Sequence, residues 1–382
     1  MKKGKIIFVA YQSKVAGGEM VLINLARAAL EADWQVGVVI PERGPIEDYL
    51  KGCLILEQKL GSTIHLPSVR KLRNIMSQQR PCIVHTHGLL RNLPARLARP
   101  GLKDVVLINS VHMSRNLAGG GHLPGLALKA RCLCYRLYDN RSAFLSDWIV
   151  AVGESVRRDL IAQGISHPGL MTIPNGIAAP ETLARPEARR EILRQTGFPE
   201  DSFITGGLSR LSHQKDIPTF IRTAQNLCSR QPRAGVVLYG DGEYLDRARS
   251  MVEEAGMQKR IILAGHVKDA QQLLPGLDAF LLTSLWEGLP LAIMEALAAG
   301  VPVVATACPG NLEALGELSS DCSAAIGDDR GLAAKLQRLA EEPDFAAAVA
   351  TRGRDRFQRE YTLENMTRRH LELYDLAWRK LG

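Results

Sequence analysis

The sequence predicts an α/β protein made of two similar domains, each a parallel, doubly wound sheet. Three observations predict it. Short β-branched runs alternate with amphipathic helical stretches, the pattern of parallel strands joined by crossover helices. The pattern stops at a polar, proline-containing stretch, Ile177 to Asp201, and then starts again. The chain has 382 residues, enough for two domains of about 180 residues that each bury a core of their own.

In the first half, Lys5–Ala10 reads as a strand, Gly18–Ala32 as a helix and Gln35–Ile40 as a second strand. Cys82–His85, Val105–Asn109 and Trp148–Val152 read as further strands, each leading into a helical or loop segment. In the second half, strands are expected at Phe203–Leu208, Gly235–Tyr239, Ile261–Ala264, Ala279–Leu282 and Val303–Ala305. Helices are expected between them at Ile217–Arg230, Tyr244–Ala255 and Pro290–Ala299, and Leu363–Lys380 reads as a terminal helix. The expected domains are 1–177 and 178–362, with a helix at 363–382 that packs back on the first. Open parallel sheets bind ligands beyond the carboxyl ends of their strands. Two such sheets facing each other across a cleft can close a donor and an acceptor together away from water.

Hydrophobic residues make up 46% and charged residues 23% of the chain, ordinary values for a soluble globular protein. The start MKKGKIIFVA is basic, but the apolar run Ile6 to Ala10 is too short for a signal peptide. The longest apolar segment, Gly288 to Ala307, is interrupted by Pro290, Glu295, Gly300 and Pro302, so it does not read as a bilayer span. A cytoplasmic protein is expected. The seven cysteines include no CxxC pair, only a lone CxC at Cys132 and Cys134, which fits reduced thiols. The net charge of +8 favours anionic partners such as nucleotides, phosphates or an anionic membrane surface. No nucleic-acid module accompanies that charge, so no nucleic acid is expected as a partner.

The most informative stretch is Trp286 to Ala296, WEGLPLAIMEA. Pro290 suits the first position of a helix. The free N–H groups near Leu289 to Leu291, with Gly288 beside them in the donor site, would then form an anion site for a diphosphate. Glu295 lies eight residues after Glu287, roughly 80° round the helix and about two turns on. One carboxylate can therefore face a sugar and the other a ribose, because a carboxylate can accept two hydroxyl hydrogen bonds at once. Alone, either glutamate reads as a solvated or helix-end residue. Glu295, however, sits in the otherwise apolar run LAIMEALAAG, where an ionised group needs partners.

Three more constellations carry chemistry. Gly207 to Leu211, followed by Lys215, is a strand leading to a loop with two cations. Arg210 can grip phosphate oxygens bidentately, and Lys215 supplies a compact charge. Ala16-Gly17-Gly18-Glu19 joins the first strand to the first helix, where glycines allow a ligand close to the backbone. His85, His87 and His112 follow strands of the first domain. An H-x-H pair without carboxylate or cysteine partners does not make a metal site.

The run EGLPLAIMEALAAGVPVVAT resembles the E-x7-E signature of retaining glycosyltransferases with the GT-B fold, the large family numbered four, and the resemblance covers nearly the whole chain. It implies two Rossmann-like domains, the first binding the acceptor and the second the nucleotide sugar. It implies that Glu287 contacts the donor sugar, that Glu295 holds the ribose hydroxyls, and that anomeric configuration is retained. Arg210 and Lys215 match the pyrophosphate-binding cations, which would stabilise the charge growing on the leaving diphosphate. Many relatives have glycine after this lysine, where this chain has Asp216. Gly17 and Gly18 match a glycine pair facing the transferred sugar, and Gly265, His266 and Val267 match backbone that meets the nucleobase. His87 is implied on the acceptor side and His112 near the reacting sugar. Pro174-Asn175-Gly176 resembles an interdomain turn.

Gly240-Asp241-Gly242-Glu243 has the outline of a D-x-D metal motif, but a turn after a strand is the preferred reading, because GT-B enzymes generally use helix and basic residues in place of a metal. No metal or other cofactor is therefore expected, and the donor is a UDP-, GDP- or ADP-sugar. The implied function is transfer of a hexose to a glycan or lipid-linked acceptor in cell-envelope polysaccharide or lipopolysaccharide biosynthesis. Lys129, Arg131, Arg136, Arg141, Arg157 and Arg158, interleaved with Tyr135 and Tyr138, read as a solvated helix face or as a peripheral membrane patch for a lipid-linked acceptor. Two other readings stay open: a nucleotide-sugar epimerase on a GT-B-like fold, and a non-catalytic sugar-nucleotide-binding protein.

Overall fold

A computed structural model describes residues 2–15, 17–61, 65–113, 133 and 137–381. The chain divides into two compact units, Met1–Gly176 with Leu363–Gly382, and Ile177–Thr362.

Unit 1 is a seven-stranded sheet in the order β3-β2-β1-β4-β5-β6-β7, with every pair parallel. Its strands are β1 (Lys5–Val9), β2 (Gln35–Ile40), β3 (Leu54–Glu57), β4 (Cys82–His87), β5 (Val105–Val111), β6 (Trp148–Ala151) and β7 (Leu170–Thr172). Side chains alternate across the pleat, so each strand feeds two cores. Ile6, Phe8, Ile83 and Ile108 pack with the helix Gly17–Glu31 and with Met366, Leu373, Tyr374 and Ala377 of the terminal helix Leu363–Arg379. Ile7, Val9, Val84 and Leu107 pack on the other face with Leu72 and Met76 of Leu66–Gln79 and with Ala95 and Ala98 of Leu89–Ala98. Cover on both faces is what lets β4 and β5 be buried at every position. The terminal helix belongs to this core: Trp34, fully buried, meets Tyr374 and Trp378 edge to face.

Unit 2 is a six-stranded parallel sheet in the order β10-β9-β8-β11-β12-β13. Its strands are β8 (Phe203–Leu208), β9 (Ala234–Tyr239), β10 (Ile261–Gly265), β11 (Ala279–Leu282), β12 (Val303–Thr306) and β13 (Ser323–Ala324). In both sheets the strand order reverses once, between β1 and β4 in unit 1 and between β8 and β11 in unit 2. At such a switch point the neighbouring loops leave in opposite directions and open a crevice. The loops after β8 and β11 carry Arg210, Lys215 and Glu287; the turn after β4 carries Gly88, and Gly17 and Gly18 open the helix that follows β1.

Several elements differ from the sequence reading. The stretch read as a polar connector contains the helix Arg185–Thr196, which buries only Ala188 and Ile192, one turn apart, too little apolar surface to give a periodic signal. β4 and β5 run two residues further than expected, so His87 is a strand residue. The helix expected from Pro290 starts at Leu291. Pro290 is its N-cap, with an extended ψ of 120° and no side chain able to cap. Among the described residues no helix is long and apolar enough to cross a membrane. Ala16, Lys129, Arg131, Cys132, Cys134, Tyr135 and Arg136, singled out in the sequence, lie outside the described residues.

Candidate active site

Unit 2 builds its site on the strand ends at the switch point. After β8 the chain runs through Ser209 to Lys215 and then into the helix Ile217–Arg230. A second turn, Gly240 to Tyr244, clamps this loop: Leu211 N–H donates to Asp241 O at 2.9 Å, and Tyr244 N–H donates to Leu211 O at 3.1 Å. Gly240 has φ +134°, and a Cβ there would lie 1.9 Å from the Ser209 carbonyl oxygen, so only glycine fits. Asp241 Oδ1 accepts from Gly242 N–H at 2.7 Å, and Glu243 Oε1 accepts from His213 N–H at 3.2 Å. These two carboxylates of the D-x-D look-alike thus bind backbone and shape a turn.

Asp216 occupies a left-handed conformation, φ +45°, which glycine adopts most easily and aspartate tolerates. Its carboxylate accepts from Thr219 N–H and from Thr219 Oγ1, capping the helix that follows. The departure from glycine after Lys215 therefore keeps the backbone shape and adds a cap.

Lys215 Nζ sits on Glu287 Oε1, in an ion pair whose side chains are 17% and 9% exposed. The same oxygen accepts from Ser284 Oγ at 2.7 Å, and Glu287 Oε2 accepts from Gln214 Nε2 at 3.3 Å. Thr283 Oγ1 donates to the Lys215 carbonyl at 2.9 Å. The loop bearing Glu287 is pressed from behind by the helix Pro309–Leu315, where a Cβ on Gly310 would lie 2.6 Å from the Glu287 and Gly288 carbonyls.

Glu295 stands on the helix Leu291–Ala298, whose other face buries Ile293, Met294, Ala296 and Leu297. Its carboxylate has no hydrogen-bond partner among the described residues. Burial pushes its pKa up to about 7, opposed by the nearby charge of Lys215. Lys215, Glu287 and Glu295 thus form one neighbourhood. The first-turn N–H groups of this helix are those of Leu291, Ala292 and Ile293, further along than the Leu289 to Leu291 donors expected from the sequence. Gly288, Leu289 and Pro290 are buried in the loop before it. Arg210 is exposed and makes no hydrogen bond or ion pair with the described residues. Gly265 closes β10, its carbonyl accepting from Gly240 N–H at 2.8 Å, and the exposed His266 and half-buried Val267 follow.

Unit 1 holds a cavity of about 330 Å³ lined by Tyr11, Gly18, Glu19, His87, Leu90 and His112, among others. Gly17 and Gly18 open the helix Gly17–Glu31 beside it. His87 ends β4, His112 directly follows β5, and the two share a hydrogen bond, Nδ1 to Nε2, at 3.0 Å. His87 is buried, and its Nε2 has no hydrogen-bond partner among the described residues. His85 points into the core instead, bonded to the Tyr374 hydroxyl and to Ser110 Oγ, both at 2.8 Å. Burial drives His85 and His87 well below the usual histidine range and holds His112 and His370 at about 4. Among the described residues no group of His, Cys, Asp or Glu is arranged to hold a metal ion.

Those depressed values carry a pH dependence. Below about 6.5 the unfolded chain takes up protons that the buried imidazoles refuse, so stability falls as pH drops toward 4. The thermal midpoint is expected to fall by several degrees between pH 7 and pH 5, and His370→Gln should flatten that slope. An unchanged slope in the variant would remove His370 from the account.

The site-building residues that the sequence reading missed are Gln214, Thr283 and Ser284. One signal was present: a Thr-Ser pair directly after the apolar strand Ala279–Leu282 places two hydroxyls at a carboxyl end, where ligands bind.

Comparison with known proteins matches the family described as Glycosyl transferases group 1 over residues 188–356, and that described as Glycosyltransferase Family 4 over residues 15–179. The chain is 26% identical, over 81% of both sequences, to the UDP-Gal:alpha-D-GlcNAc-diphosphoundecaprenol alpha-1,3-galactosyltransferase of Escherichia coli. It is 27% identical, over 50% of this chain and 54% of the other, to the lipopolysaccharide core biosynthesis glycosyltransferase LpsD of Rhizobium meliloti. Among solved structures, Anabaena Alr3699/HepE in complex with UDP and glucose superposes with a TM-score of 0.80 at 19% identity, covering 97% of this chain and 99% of that one.

Proposed function

The chain is a group 1 glycosyltransferase with the GT-B fold, and from that premise we propose that it transfers a hexose, with retention of anomeric configuration, from a nucleotide-diphosphate sugar to a lipid-linked or glycan acceptor. The observation that carries the reading is the Lys215–Glu287 pair beside the Glu295 carboxylate, which has no hydrogen-bond partner among the described residues, at the switch point of unit 2.

Each residue has a role in this reading. Arg210, Lys215 and the N–H groups at the start of the Leu291–Ala298 helix hold the diphosphate, behind Gly288, Leu289 and Pro290. They also stabilise the charge that grows on it as it leaves. Glu295 accepts the two ribose hydroxyls, Glu287 accepts from hydroxyls of the donor sugar, and backbone at Gly265, His266 and Val267 meets the base. Gly17, Gly18 and His112 attend the transferred sugar, and His87 the acceptor. The C1–O bond to the diphosphate breaks and a C1–O bond to the acceptor forms on the same face. The acceptor proton passes to a phosphate oxygen. No covalent nucleophile and no metal take part.

UDP is the first donor to test, given the UDP named in the Anabaena complex and the UDP-Gal named for the Escherichia coli relative. A diphosphate-lipid acceptor and a place in cell-envelope polysaccharide or lipopolysaccharide synthesis follow from the names of the relatives. Such an acceptor puts the protein at the cytoplasmic membrane surface, and the exposed Tyr138, Arg141 and Arg158 suit an anionic bilayer.

The test is a thermal-shift panel of UDP-, GDP- and ADP-sugars, followed by NMR of the product anomer. A ligand at 100 times its Kd stabilises the folded state by about 2.7 kcal/mol. One nucleotide is expected to raise the midpoint clearly, and the product to keep the donor's anomeric configuration. No response to any of the three, an inverted product, or interconversion of the donor sugar without acceptor would contradict the proposal.

A further inference from the structure

Two hydroxyls at the end of β11 divide the proposed donor site between them. Thr283 is buried, and its Oγ1 donates to the backbone carbonyls of Lys215 at 2.9 Å and Asp216 at 3.2 Å. It fixes where the lysine leaves the loop. Ser284 is completely buried and donates through Oγ to Glu287 Oε1 at 2.7 Å. The Ser284 carbonyl accepts from Thr306 Oγ1 at 2.6 Å, and Thr306 Oγ1 accepts from Asn311 Nδ2 at 3.2 Å. Ser284 therefore stands at the end of a buried chain of hydrogen bonds that crosses from β11 through β12 to the helix Pro309–Leu315. That chain fixes the Ser284 backbone through its carbonyl, and complete burial of the side chain keeps water from replacing its hydroxyl on the carboxylate.

Lys215 is differently placed. It shares Glu287 Oε1 with Ser284, but it lies at the end of a long, flexible stem. A bound diphosphate carries more negative charge than one carboxylate and draws the ammonium toward itself. Glu287 is then left with Ser284 on one oxygen and Gln214, at 3.3 Å, on the other.

We propose that Ser284 is a positioning residue for Glu287, holding its carboxylate on the donor sugar when Lys215 turns to the diphosphate. Thr283 does the equivalent for Lys215. The inference rests on the donor site proposed above. It requires that losing one hydroxyl affect turnover and losing the other affect diphosphate binding. Once Lys215 has turned to the diphosphate, Glu287 faces the sugar and not the nucleoside diphosphate, so the affinity for a nucleoside diphosphate without sugar depends on Lys215 far more than on Ser284.

The test compares Ser284→Ala with Thr283→Val. UDP, GDP and ADP are titrated in turn into the wild-type protein and both variants, and transfer is measured with the sugar of the nucleotide that binds. Loss of a hydrogen bond to a charged group predicts that Ser284→Ala lowers kcat by about tenfold or more, while nucleoside diphosphate affinity stays within about twofold. Thr283→Val is expected to weaken that affinity by about tenfold. Should Ser284→Ala fail to fold, Ser284→Cys replaces it, with the same split expected from its weaker donor. Wild-type turnover in the serine variant overturns the proposal, as does weakening of diphosphate binding equal to that in the threonine variant. Failure of the wild-type protein to bind any of the three nucleotides would instead remove the diphosphate site itself, and this inference with it.

Discussion

Lys215→Ala is expected to slow sugar transfer by about 10²–10³-fold, the usual effect of removing one preorganised group from a developing negative charge. Glu287→Gln should fall in the same range, because an amide cannot accept on both of its heavy atoms as the carboxylate does. The two effects should not multiply. Lys215 and Glu287 are bonded to each other, so removing either disturbs its partner, and groups in one network give non-additive changes. Among the described residues, Lys215→Ala also leaves Glu287, 9% exposed, with Ser284 and Gln214 alone to compensate its charge. Breaking such a pair costs roughly 3–5 kcal/mol when it is fully buried, so rates should be read below the unfolding transition of the variant. Steady-state kinetics of both single variants and the double variant give the comparison. Near-normal rates in both single variants would sink the assignment.

Glu295→Gln is expected to weaken nucleotide binding by about 10–100-fold, the loss of hydrogen bonds to a charged acceptor, and at the same time to stabilise the protein at alkaline pH. The second effect follows from the raised pKa. Burial moves this carboxyl from 4.5 to about 7, so the folded state binds a proton that the unfolded state has released. Stability is then lost as pH rises from about 4.5 to about 7, and the cost of the buried charge is complete above that. The shift corresponds to roughly 3 kcal/mol at most. Thermal unfolding at pH 8 and pH 5 checks it: the variant should gain more over wild type at pH 8. Ribose hydroxyls bind the ionised carboxylate, so wild-type affinity should decline below about pH 7 while that of Glu295→Gln stays flat. A residue that lowers stability to serve binding is a familiar trade at functional sites. A variant both less stable at pH 8 and unaltered in nucleotide affinity would make Glu295 a structural residue.

Much of the architecture was legible because parallel sheets covered on both faces leave nearly continuous apolar runs. The strand Ala279–Leu282 and the helix Ile217–Arg230 have the bounds that the sequence implied. The edge strands Leu54–Glu57, Leu170–Thr172 and Ser323–Ala324 were not legible, since each is only partly buried or very short. In the candidate site, the glutamates and cations stood out as charged residues in a strand–loop–helix frame. What holds them did not. Ser284, Thr283 and Gln214 act through single hydrogen bonds set by strand neighbours, and a lone hydroxyl has no periodicity to betray it. The His87–His112 pair lay between these cases. Both histidines were visible near the ends of successive strands, but their 3.0 Å contact depends on β4 and β5 pairing in register, with His87 opposite Ser110. The link from His85 to Tyr374 spans 289 residues and had no local signal at all.

The most direct measurement is a crystal structure of the protein with an intact nucleotide sugar, or with a non-transferable analogue of it. The account predicts the diphosphate on Lys215 and Arg210 at the start of the Leu291–Ala298 helix, the ribose on Glu295, and the sugar hydroxyls on Glu287, still bonded to Ser284. A nucleotide bound elsewhere, or bound here with its ribose turned away from Glu295 and Lys215 still paired to Glu287, would contradict it.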